Sequence, residues 1–227
     1  MAGTARALAA PRRGAKATAA AWTVTVGIAA VAWIVALDRM DGMAMGVETQ
    51  LGSLASFMPT WIAMMAAMML PGVLPAVSRA ARAAVHLRAL PLFVSSYLAV
   101  WALAGVVAYL AYRPHGTGVA AALVVAAGLY ALTPFERRCR VRCRESVRSG
   151  IEYGRHCVGA SAGPMVVLLA LGAMSVAWMC VAGALVLAKK LLPPRAVIDV
   201  PLALAIVALG VAIALSPSSI PGLVPAM

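Results

Sequence analysis

Acidic residues are what this chain most conspicuously lacks: it carries 7 Asp and Glu against 19 Lys and Arg, and charged residues make up only 11% of its length. Soluble domains carry about 25%, so most of this chain has no polar surface with which to face water. All seven carboxylates fall in connections or at helix ends, which disfavours ion-coupled transport through acids buried in a span. Cysteine is scarce as well, and 4 thiols in 227 residues do not make a disulfide framework. No lysine follows Lys190, which removes the Schiff-base residue that a retinal protein needs in its last span. A P-loop, an HExxH helix and a dinucleotide fingerprint are also missing.

What is present is grease: 63% of the residues are hydrophobic and the mean hydropathy is +0.94. A bilayer core roughly 30 Å thick is crossed by about 20 apolar residues. Within it every backbone polar group must be satisfied internally, as a helix or closed barrel does. The apolar runs are long and do not alternate, which selects helices. The expected architecture is therefore an all-α polytopic membrane bundle of about seven transmembrane helices. A basic cytoplasmic tail, 1–19, precedes spans at about 20–37, 54–77, 90–112, 118–133, 151–171, 172–188 and 197–215. A Pro-rich outer tail, 216–227, follows. The first run exceeds the 7–15 residues of a signal-peptide apolar region, so it reads as an uncleaved helix.

The basic residues orient this division. With the N-terminus in the cytoplasm and the C-terminus outside, 17 of the 19 Lys and Arg fall on the inner side, leaving only Arg39 and Arg113 out. That bias is the positive-inside rule. The net charge of +12 is then topology, with anionic inner-leaflet lipid as its counter-charge, and nucleic acid is not an expected partner. The expected location is a bacterial inner membrane.

Sulfur is unevenly placed. Eight of the 13 methionines lie between Met40 and Met69. Met40, Met43 and Met45 fall in an outer aqueous loop beside Asp41, where thioethers gain nothing from packing. In Trp61-Ile-Ala-Met-Met-Ala-Ala-Met-Met-Leu-Pro71, Met64 and Met68 share one helix face, and Met65 and Met69 the adjacent one. Thioethers also fill irregular gaps between helices, so packing and ligation stand level for these four. Cys139 and Cys143 are four apart in an arginine-rich inner segment. Flanking cations are expected to favour the metal-binding thiolate. His156 and Cys157 lie near the inner end of the fifth span, while Cys180, beside Trp178 and Met179, reads as packing. Soft sulfur ligands select Cu(I). The candidate ligand set is Asp41, Met43, Met45, Met64, Met65, Met68, Met69, Cys139, Cys143, His156 and Cys157, with copper as the metal.

One catalytic motif tempts. Gly159-Ala160-Ser161-Ala162-Gly163 fits G-x-S-x-G, but the nucleophile elbow requires a strand–turn–helix context, and no histidine stands on a partner span. The glycines read instead as a small-xxx-small packing face, with Pro164 kinking the helix after them.

Several segments together resemble a bacterial family of predicted metal-binding integral membrane proteins. They are the Met-rich loop, the Trp61–Pro71 run, Tyr130-Ala-Leu-Thr-Pro134 leading into Cys139-x-x-x-Cys143-Arg144, Gly154-x-x-Cys157-x-Gly159, Gly172-x-Met174-x-x-x-Trp178-Met179, and a basic Leu-Leu-Pro193. The likeness spans roughly residues 40–193 and implies a membrane-embedded soft-metal role. Ala131 stands where similar members carry Gln, and Lys189 where they tend to carry Glu. Ala160 and Ser161 replace further cysteine, thinning the ligand set around Cys157. The expectation is a non-enzymatic protein that binds or passes on copper, with a metal donor or acceptor protein as partner. The alternative is a membrane assembly subunit whose methionines only pack.

Overall fold

A computed structural model describes residues 2–41, 51–82, 89–145, 149–172 and 175–217. Among these the chain is all helical. The helices are α1 (Ala2–Met40), α2 (Leu54–Met69), α3 (Leu74–Arg82), α4 (Ala89–Ala111), α5 (Thr117–Ala131), α6 (Pro134–Glu145), α7 (Gly150–Leu171), α8 (Val176–Leu191) and α9 (Ala196–Leu215), with a 3₁₀ turn at Pro71–Val73.

Among the described residues four segments are long and apolar enough to cross a membrane: Thr18–Met40, Pro91–Ala111, Gly150–Leu171 and Ala196–Leu215. They correspond to the expected spans at 20–37, 90–112, 151–171 and 197–215. The other three expected spans come out shorter. The 54–77 run stops at Met69, because Pro71 has no N–H to continue the ladder and the chain tightens into Pro71–Val73 before α3. The 118–133 run forms the 15-residue α5, and the chain then bends 62° at Leu132–Thr133 into α6, which begins at Pro134. The pair counts as a fifth crossing only if both helices together make one broken span. The 172–188 run begins as a helix only at Val176, after Gly172 has left helical geometry at φ +105°.

The outward faces are greasy: Val31, Ile34, Leu103, Leu110, Leu204 and Leu215 are all exposed. The interior has two packed groups. The larger joins α1, α2, α4, α7 and α8 around the methionines of α2. The smaller is built on α5 and α9 with the end of α7. Gly128 faces Val207, and Gly210 faces Val125, so α5 and α9 lie backbone to backbone, as small residues permit.

The entry to α2 is fixed by two devices. Ser53 caps the helix by accepting from the Ser56 amide at 3.3 Å. Gly52, at φ +68°, presents its carbonyl to the Tyr109 hydroxyl at 2.9 Å. Lower down, Trp61 donates its indole N–H to the Trp101 carbonyl at 2.9 Å and packs its ring over Gly105. These contacts tie α2 to α4. Gly150 and Gly154 let α7 approach Phe93 and Val100 of α4 closely. The two approaches bring the end of α2, the middle of α4 and the first turns of α7 to one place.

Candidate metal centre

That place is built around Cys157. Its side chain is fully buried, and its Sγ lies 3.3 Å from the Tyr97 hydroxyl of α4. Cys143 of α6, also buried, belongs to the same packed group, close enough for the two thiols to interact. From α8, the Lys190 ammonium reaches the Tyr97 hydroxyl at 3.4 Å, the Met69 carbonyl at 3.5 Å and the Met69 Sδ at 3.7 Å, and its charge acts on Cys157. Tyr153 of α7 donates to the Gly72 carbonyl at 3.2 Å and touches Cys143. The rings of Tyr97 and Tyr153 flank the ammonium at 5.9 and 6.0 Å, within cation–π range. Two thiols, one thioether, two phenols and one ammonium thus converge from five helices.

The break after α2 belongs to this centre. The carbonyls of Met69 and Gly72, freed where the helix ends, accept from Lys190 and Tyr153. Buried backbone groups that leave a helical ladder need such partners. Gly72 is required here because a Cβ on it would collide with the Lys190 stem.

The cationic strap around the centre is also ordered. Lys189 forms a buried ion pair with Glu136 at 2.8 Å, and Arg140 pairs with Asp199. Arg140 donates to the Lys189 carbonyl at 2.9 Å, and Arg144 to the Leu192 carbonyl at 2.9 Å. Together these pin α6 against the end of α8 and the start of α9.

The structure distributes the sequence candidates unequally. Met69, Cys143 and Cys157 are together. Met64, Met65 and Met68 are buried with them, all at most 3% exposed, but belong to the apolar core; Met68 packs at Gly183 of α8. Cys139 is buried one turn from Cys143, against Gly159 rather than at the centre. His156 is buried on α7, a residue away from Cys157 along the chain. Asp41 is exposed at the end of α1. Met43 and Met45 lie outside the described residues, as does Met174. Gly159 and Gly163 face Cys139 and the Ala127 carbonyl, the close approach that their spacing predicts.

Three readings need correction. Met40 is not in an aqueous loop: it closes α1 and is buried in the core. The arginines flanking Cys139 and Cys143 do not set the thiols: Arg138 and Arg142 are exposed, Arg140 pairs with Asp199 and Arg144 turns to Leu192. Burial and then the Glu136 carboxylate push the Cys139 thiol up, and the hydrogen bond to Cys157 and then burial push Cys143 up. Cys180 is exposed on α8 rather than packed, because the core face of that helix is taken by Met179, Ala182 and Val186.

Tyr97, Tyr153 and Lys190 were not foreseen. Lys190 reads as one more topogenic charge in the sequence, and only the helix phase separates it from Lys189. Tyrosine in an otherwise apolar run is a usable signal, since a buried hydroxyl seeks a partner.

Among the described residues no three His, Cys, Asp or Glu side chains come together as a metal-holding group. What the centre offers instead is sulfur of two kinds, a donor set that suits Cu(I). No curated protein and no solved structure matches the chain. Residues 58–213, well over half of its length, match a family model described as a copper chaperone. The matched stretch contains every residue of the centre, and this chain belongs to the PpoB2 copper chaperone family.

Proposed function

We propose that the protein is an integral membrane copper chaperone that holds Cu(I) on Cys143, Cys157 and Met69 and passes it to a partner protein. The observation carrying this reading is the convergence of both thiols and the thioether at the broken end of α2, beside Lys190. Two thiolates and one Cu(I) carry a net charge of −1, and the Lys190 ammonium supplies the balancing charge where the surroundings are apolar. The phenols of Tyr97 and Tyr153 orient the sulfurs, as outer-shell partners do in metal sites generally.

The membrane setting is supported by four span-length apolar helices and by the greasy outward faces. With the N-terminus inside, the inner-side excess of Lys and Arg supports a centre toward the cytoplasmic face. A seven-crossing count requires α2 with α3, α5 and α8 to traverse as short or broken helices, as re-entrant and discontinuous segments do in other membrane proteins. The outer loop methionines Met43 and Met45, with Asp41, form a separate acquiring station in this scheme. In this scheme the protein is a carrier rather than a catalyst.

Titration of the purified protein in mild detergent with Cu(I), read by competition against bicinchoninate, tests the reading. Stoichiometric binding that a Cys143→Ser/Cys157→Ser variant loses is the expected result. Equal binding by the variant, or none by the wild type, refutes it.

A further inference from the structure

Between the centre and the surface lies a cavity of about 280 Å³ whose wall carries Arg79, Arg140, Arg144, Lys189, Lys190 and Cys143. Arg79 is exposed and Cys143 is buried, so the cavity leads inward from the surface to a thiol. Two of its five cations are neutralised, Lys189 by Glu136 and Arg140 by Asp199. Among the described residues, the other three have no ion pair. A second observation points the same way: Arg140, only 4% exposed, has an Nε–H with no hydrogen-bond partner among the described residues. Buried donors without an acceptor are costly, and an anion in this cavity would supply one.

A cationic passage is a poor entry for a bare metal cation and a good one for an anion. We propose that the cavity receives copper as an anionic complex, Cu(I) held by small thiols that bear carboxylate or sulfonate groups. The carrier's acid groups sit against Arg79 and Arg144, beside the Arg140 guanidinium that borders the cavity, while its sulfurs face Cys143. Transfer is a ligand exchange. Each cysteine thiol gives its proton to the thiolate that it displaces, two Cu–S bonds to the carrier break and two to Cys143 and Cys157 form. The copper stays Cu(I) throughout, and two free carrier thiols leave. This inference rests on the copper reading above and adds the chemical class of the donor.

A matched pair of carriers tests it: Cu(I) complexed by 2-mercaptoethanesulfonate or by 2-mercaptoethanol, offered to the full-length protein in uncharged detergent. Charged clefts raise association rates by about 10- to 1,000-fold, so uptake from the sulfonate carrier is expected to be at least about 10-fold faster. The preference shrinks as salt shortens the screening length. Arg79→Gln/Arg144→Gln abolishes it while leaving the equilibrium Cu(I) affinity unchanged. Arg79→Gln alone, at an exposed position, reduces it without risk to folding. Equal rates for the two carriers in the wild type, with Cu(I) still bound, overturn the cavity proposal and leave the copper reading standing. A preference that survives the double substitution overturns it as well. Loss of the preference on adding phosphatidylglycerol, but not phosphatidylcholine, makes a lipid headgroup the occupant and overturns it too. No uptake from either carrier overturns both proposals together.

Discussion

Met69 and Met65 share one stripe of α2, and Met64 and Met68 the neighbouring one, yet the four do not share an environment. Met64, Met65 and Met68 are surrounded by the apolar core. Met69, at the end of the same helix, has an ammonium 3.7 Å from its sulfur, and the charge of that ammonium also acts on the Cys157 thiol. The residue type is constant and the neighbours differ. A thioether is a packing group or a candidate ligand according to what the helix end puts beside it, and a stripe of methionines is to be read position by position.

The sharpest way to break this contrast is to remove the thiols. Cys143→Ser/Cys157→Ser should lower Cu(I) affinity by more than the ~10–100-fold that outer-shell changes cause, in competition titrations. Next comes the strap that holds α6 in place. Glu136→Gln leaves Lys189 buried without its partner, and such losses cost about 3–5 kcal/mol; a lowered detergent melting temperature measures it. The two methionine environments are then compared directly. Met69→Leu should cut Cu(I) affinity, whereas the triple change of Met64, Met65 and Met68 to Leu should leave it unaltered, with each swap costing under about 1.5 kcal/mol of stability. Equal effects of the two variants would erase the distinction. The smallest expected effect is that of Tyr97→Phe, which removes the hydroxyl's hydrogen bonds to Cys157 and Lys190, each worth about 1 kcal/mol; it should weaken binding by several-fold without moving the melting temperature much.

Long apolar runs were legible in the sequence because hydropathy alone determines them: α4, α7 and α9 lie where the runs at 90–112, 151–171 and 197–215 put them, while α1 begins at Ala2, well before the run at 20–37. The breaks were not. Pro71 was visible, but whether an apolar run continues through a proline as a kinked span or stops, as α2 does, depends on partners such as Lys190 and Tyr153 that take up the freed carbonyls. For the site, the residue types were readable and the grouping was not. Cys143 and Cys157 were both candidates, and Ala160 and Ser161, in place of further cysteine, pointed to a thinner ligand set around Cys157. The fold instead fills that space from α4, α6 and α8, through Tyr97, Cys143 and Lys190. Arginine next to cysteine in sequence proved a weak guide, because successive helix positions point about 100° apart and the guanidinium groups found other partners.

The interruption between α2 and α3 links occupancy to backbone geometry. The carbonyls of Met69 and Gly72 are held by the same lysine and tyrosine that border the sulfurs. An incoming ion that draws Lys190 toward bound thiolates takes a partner away from the interrupted chain, and the two helical pieces feel its arrival. Amide exchange at Leu70–Leu74 therefore offers a report on loading that is independent of any measurement made on the metal.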